Sequence, residues 1–230
     1  MRLLPLPGVF QPPSDSWMLV HQLKRERLPP DAVGLDLCTG SGVLAVAAAR
    51  HGCRDVMAVD VSRGAVVAAR CNARLNGVRV RSVVGDLFEP VRGRRFDLIV
   101  SNPPYVPSPT GELPRRGLAR AWEAGTDGRV FLDRICSQAS AHLRPGGVML
   151  LVHSSVCGER ATVSALSDQG LTVGVALRHR GGLGPILRSR ADWLRSRQLL
   201  LDDGQEEMLV IRAEAPPGES KRSDSERVAA

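Results

Sequence analysis

From Val33 onward the chain alternates compact aliphatic runs with longer, Ala-rich stretches. The compact runs fall at about 33–38, 55–60, 78–84, 96–101 and 146–153. Each is a compact run rich in aliphatic residues and too short for a helix, which predicts strands buried on both faces, the habit of a parallel sheet. The stretches between them predict helices. One opens at Gly42, one follows Ser62 as N-cap and ends at Asn76-Gly77, and one sets Leu132, Ile135, Cys136, Ala139 and Leu143 at helical spacing before Pro145-Gly146-Gly147. A further helix is expected over 158–169, and 171–177 with 207–212 read as a closing pair of strands. The order predicts an α/β fold built from β-α-β units.

Ahead of this pattern, residues 1–30 read as an extended, proline-rich segment and a helix from Ser14 or Asp15 to about Arg27, stopped by Pro29-Pro30. One domain then spans 31–214, and a tail over 215–230, with nothing to bury, is expected to be disordered.

Composition narrows the functional classes. Aromatic residues are only 3% of the chain, which excludes a nucleic-acid binder built on stacked aromatic platforms. The net charge of +7 would favour an acidic partner, but only Lys24 and Lys221 among the 31 basic residues are lysines. That skew follows from GC-rich coding more simply than from phosphate contacts, so the basic surface is read as solvated. The five cysteines form no C-x-x-C pair and no ligand-like spacing with histidine, so no metal site is expected and a reducing compartment suits them. No apolar run approaches the ~20 residues of a membrane span, and a cytoplasmic protein is expected.

The chemistry concentrates at the ends of strands. Leu35 to Gly42 carries Asp36, Cys38, Thr39, Gly40 and Gly42 between the first strand and the first Ala-rich helix, where glycines let backbone turn close to a ligand. Asp60 ends the second strand, where a carboxylate can grip two ribose hydroxyls, and Asp86 follows the third. Acids around such a pocket suit a cationic sulfonium better than a pyrophosphate. The fourth strand runs straight into Asn102-Pro103-Pro104-Tyr105. Two prolines stiffen this loop and remove two donors, so the Asn102 amide oxygen and the Pro103 carbonyl can accept both hydrogens of an NH₂ group. Tyr105 offers a flat face to a planar acceptor.

These motifs resemble the class I S-adenosylmethionine-dependent methyltransferases with an N-P-P-Y loop, and most closely the short branch of the HemK-type protein glutamine methyltransferases. The resemblance spans most of 9–175. It takes in Val9-Phe10-Gln11-Pro12 with Asp15-Ser16, the Asp36–Gly42 loop, Asp60, Asp86, the Asn102 loop, Ala121-Trp122, Gly125 and Asp127-Gly128-Arg129. It implies a Rossmann-like, seven-stranded, mostly parallel sheet with helices on both faces and an antiparallel last strand. It also implies S-adenosyl-L-methionine as cofactor, in a pocket of Asp15, Ser16, Asp36, Cys38, Thr39, Gly40, Gly42, Asp60, Val61, Asp86, Leu87 and Asn102. Asn102, Pro103 and Tyr105 would hold the acceptor, a glutamine amide in a protein such as a translation release factor.

Two departures stand out: Cys38 occupies a glycine position, and the arginine-rich connection over 178–204 is longer than that branch's turn. Other acceptors that fit the same loop are an adenine amine of DNA or RNA, a lysine and a small-molecule amine. A cofactor-binding subunit that activates a partner is a third class, and a small partner subunit is compatible with all of these.

Overall fold

The aliphatic runs become strands of a single sheet. In the computed structural model, which describes residues 1–9, 11, 14–200 and 204–218, they are β1 (Val33–Leu37), β2 (Asp55–Asp60), β3 (Arg81–Val84), β4 (Phe96–Ser101), β5 (Leu143–Ser154), β6 (Thr172–Gly182) and β7 (Gln205–Glu214). The sheet order is β3-β2-β1-β4-β5-β7-β6. β1 to β5 pair in parallel, and β7 slots antiparallel between β5 and β6, so the last strand alone opposes the rest.

Side chains alternate across each strand, so one run supplies both cores. On β5, Val148, Leu150 and Val152 face α1 (Ser14–Leu23) and α2 (Val43–Arg50), while Met149 and Leu151 face the other layer. That second layer holds α4 (Val130–Cys136), α5 (Ala139–His142), α6 (Glu159–Ser167), α7 (Pro185–Ser189) and α8 (Ala191–Ser196), with Leu132, Ile135, Ala139, Leu166, Leu187 and Leu194 buried. Burying each such leucine contributes about 1.5–3 kcal/mol. α3 (Arg63–Leu75) packs against α2 and the β2–β3 edge, and Ser62 caps it as expected by accepting from Ala65 N–H. No helix of the described residues is long and apolar enough to cross a membrane.

Boundaries differ where local bonds compete with the pattern. The first helix stops at Leu23 rather than near Arg27, because Glu26 turns inward to take Arg212 and Gln22. β3 starts at Arg81 rather than 78, since Gly77, at φ 67°, and Val78 close α3 with N–H bonds to Arg74 and Ala73. The helix expected through Leu143 is two, α4 and α5, and Leu143 already belongs to β5. In the closing hairpin β6 starts at Thr172 but runs on to Gly182 rather than 177, β7 exceeds 207–212 at both ends, and α7 and α8 occupy the connection. Of the tail, 219–230 lies outside the described residues; Ala215 is buried and donates to the Gly147 carbonyl.

Candidate active site

The carboxyl ends of β1 and β4 diverge at the point where strand order reverses, and a doubly wound sheet opens its ligand crevice there. The turn after β1 is held from below. Asp36, wholly buried, accepts from Thr39 Oγ1 at 2.6 Å and from Ala45 N–H at 2.9 Å. It therefore does not line the crevice, unlike the reading from sequence; it ties the loop to the first turn of α2. Gly42, at φ 82°, has no room for more than hydrogen, since a Cβ would lie 2.7 Å from Ala69 Cα. Cys38 adopts φ 57°, a left-handed conformation that favours the glycine it replaces.

Burial pushes the Asp36 carboxyl up to about 7, outweighing its two hydrogen bonds. A folded-state pKa above the unfolded one means that the native protein holds an extra proton between about pH 4 and 7. Its contribution to stability is complete below pH 4 and is lost as pH rises through 7. Asp36→Asn keeps the acceptor for Thr39 and Ala45, and should remove up to about 1.4 kcal/mol per pH unit of slope across that window. Urea denaturation at a series of pH values would show it; parallel curves for the two proteins would exclude Asp36 as the titrating group.

Asp60, at the tip of β2, accepts from Gly40 N–H at 2.9 Å through Oδ2 and from Ser62 N–H at 2.8 Å through Oδ1. Burial raises its pKa, with the two backbone bonds and Arg120 opposing. It stands in the wall of a cavity of about 900 Å³, with Cys38, Thr39, Gly40, Val61, Leu87 and Asn102. Such a volume suits a cofactor-sized ligand. Asp86 is also in the wall, its Oδ2 accepting from Arg134 at 2.6 Å. Val61 is 44% exposed, an apolar side chain left open inside the cavity.

Asn102 and Pro104 line the same cavity, whereas Pro103 and Tyr105 do not. The Asn102 Nδ2 donates to Ser16 Oγ at 2.9 Å and to Asp15 Oδ2 at 3.3 Å. Asp15 Oδ2 also accepts the Tyr105 hydroxyl at 2.6 Å. Burial first, and then Asp15, hold the Tyr105 phenol well above its ordinary pKa. Tyr105 thus anchors the loop through its hydroxyl, a contact not expected from sequence. Asp15 lies behind the loop, and Ser16 reaches the cavity. A carboxylate attracts donors, so the nitrogen end of the Asn102 amide must face Asp15 and the oxygen end stays free. Phe10 and Pro12 of the opening segment lie outside the described residues.

The Asp127-Gly128-Arg129 element buttresses this loop. A Cβ on Gly128, at φ 75°, would lie 2.3 Å from the Tyr105 carbonyl, so only glycine lets the two backbones meet. Arg129 Nη1 donates to the Cys157 carbonyl at 2.6 Å, and the Cys157 thiol donates to the Tyr105 carbonyl at 2.9 Å. Sequence reasoning missed the roof of the cavity, Leu113, Arg115, Leu118 and Arg120, whose segment has no periodicity, and Gly8 and Val9 at its rim. The only signal for these last two was the opening segment of the resemblance, which begins at Val9 and which Gly8 directly precedes.

A parallel sheet with its last strand reversed, a glycine turn over a carboxylate-walled cavity and a proline-stiffened loop beside it match the architecture expected of a methyltransferase. The methyltransferase small domain family matches residues 1–112. A Methanocaldococcus jannaschii protein named for N5-glutamine methylation of protein is 35% identical over 75% of this chain and 85% of its own. The release factor glutamine methyltransferase of Mycolicibacterium smegmatis is 37% identical over 75% of this chain, which spans 63% of that protein. The E. cuniculi Mtq2-Trm112 structure, titled for methylation of the eRF1 translation termination factor, superposes with a TM-score of 0.64 at 19% identity, over 90% of this chain and 99% of that one. The chain belongs to the HemK-type protein glutamine methyltransferases.

Proposed function

We propose that this enzyme moves a methyl group from S-adenosyl-L-methionine to the side-chain amide nitrogen of a glutamine in a protein, with a translation factor as the first acceptor to test. The observation that carries this reading is the orientation of Asn102. Its NH₂ end is engaged by Asp15 and Ser16, and no bond among the described residues uses its oxygen, which is left as an acceptor for an incoming N–H.

The residues fit the cofactor. Asp60, its carboxylate fixed by two backbone amides, has lone pairs left for ribose hydroxyls, and the open face of Val61 would be covered by a purine. The backbone at Gly40 can lie close to the ligand because no side chain stands there. When bound, the cofactor supplies an electrophilic methyl on a cationic sulfonium.

The Asn102 oxygen holds the acceptor amide so that its nitrogen faces that methyl, and it takes up part of the positive charge that grows on its hydrogens. Transfer replaces one N–H by N–CH₃ and releases one proton. Tyr105 and Asp15 keep the loop from turning as this happens. A translation factor as acceptor would place the enzyme in the cytoplasm, and a small partner subunit, as in the E. cuniculi complex, is compatible with this site.

The test is methylation of a cell lysate with the purified chain and isotopically labelled cofactor, read by mass spectrometry. Label on protein glutamine is the expected result. Label confined to nucleic acid would overturn the reading.

A further inference from the structure

The connection between β6 and β7, longer than the resemblance led one to expect, reaches back to the acceptor loop. Past Tyr105 the chain continues as an arm, 106–108, paired along its backbone with 122–125. Val106 N–H donates to the Trp122 carbonyl at 2.7 Å, Ala124 N–H to Val106 at 3.0 Å, and Ser108 N–H to Gly125 at 2.8 Å. Pro107, in the middle, has no N–H to contribute, and its carbonyl accepts from Arg190 Nη1 at 2.6 Å. The same guanidinium takes both oxygens of Glu123, at 3.0 Å through Nη1 and again through Nη2.

This ion pair differs in kind from those on the surface. The side chains of Arg190 and Glu123 are only 20% and 9% exposed, whereas the Arg54–Asp31 pair is 73% and 69% exposed. Burial pushes the Glu123 carboxyl up, but Arg190 outweighs it and holds the carboxyl below its ordinary value. Arg190 sits at the junction of α7 and α8, and Leu187 and Leu194 on either side are buried in the core. The guanidinium is therefore presented from a fixed element. A planar fork can grip a carbonyl and a carboxylate on two different segments at once, which a lysine ammonium does not reproduce.

We propose that Arg190 is a positioning residue for methyl transfer: it clamps the Pro107 carbonyl to Glu123 and so fixes the arm that holds Asn102–Tyr105 against the cavity. This rests on the reading of Asn102–Tyr105 as the acceptor loop. The inserted helices thereby become part of the acceptor side of the enzyme, although none of their residues lines the cavity.

The test uses the full chain with Arg190→Met and Arg190→Lys, and a first readout that needs no substrate. Hydrogen exchange at the Val106 and Ser108 amides should quicken by about tenfold or more in Arg190→Met while the β4 amides keep their protection. Label transfer to lysate protein should fall by about tenfold, with Arg190→Lys intermediate. A double variant, Arg190→Met with Glu123→Gln, removes the uncompensated charge but not the loss of the clamp, so transfer should stay low. Recovery of transfer in the double variant would overturn the proposal, as would unchanged exchange at Val106 and Ser108, or equal loss of protection throughout the sheet. If the wild type labels no protein, the protein-acceptor reading fails while the exchange result still decides the clamp.

Discussion

Asn102→Ala is expected to slow methyl transfer by about 10² to 10³, equivalent to roughly 2.7–4 kcal/mol, while cofactor affinity changes little. The size follows by analogy with removing one pre-placed donor from an oxyanion hole, here with the polarity reversed. The amide oxygen is worth more in the transition state than before it, because charge on the acceptor hydrogens grows during transfer. Its position depends on the bonds from its Nδ2 to Asp15 and Ser16 and not on the Asp60 carboxylate. Asn102→Asp is not a rescue, since it would set a second carboxylate at a site now 3.3 Å from Asp15 Oδ2, where two like charges cannot both persist. Single-turnover rates on a verified acceptor, beside calorimetric affinities, separate the two effects. Wild-type turnover by Asn102→Ala would reduce the loop to a structural turn.

Asp60→Ala should have the opposite signature, with binding lost rather than the chemical step. Hydrogen bonds to a charged group contribute about 1.5–3 kcal/mol, so affinity for S-adenosylmethionine should weaken by roughly 10- to 150-fold. Two losses combine here. The ribose hydroxyls lose their acceptor, and the glycine turn loses the tether at Gly40 N–H that holds it against β2. Asp60→Asn keeps one acceptor and should fall between. Unchanged affinity in calorimetry would remove Asp60 from the site.

The sheet and much of the site were legible because their signals are local. A strand buried on both faces announces itself as an aliphatic run, and Asp60 or Asn102 is placed simply by ending one. What a residue touches across the fold is not local. Asp36 looks identical to Asp60 in sequence, each an acid near the end of a strand, yet one faces the cavity and the other lies beneath the turn. Arg190 was visible only as one of six arginines, Arg178, Arg180, Arg188, Arg190, Arg195 and Arg197, in the 178–204 connection, which has no periodicity. Its partner Glu123 lies 67 residues away in the chain. Tyr105 could be read as an aromatic face because nothing in sequence places Asp15, 90 residues earlier, under its hydroxyl.

The position of β7 bears on how the molecule is made. Because the last strand lies between β5 and β6, the apolar flank of β5 has no neighbour until residues 205–214 have left the ribosome. Until then a growing chain carries an open, wholly buried-type edge, the kind that recruits other chains. Even the first helix waits on that strand, since Glu26 just beyond it bonds Arg212 across a separation of 186 residues. Contacts of such long range make for slow maturation, and a chain cut short before residue 205 would have no means of closing its own sheet.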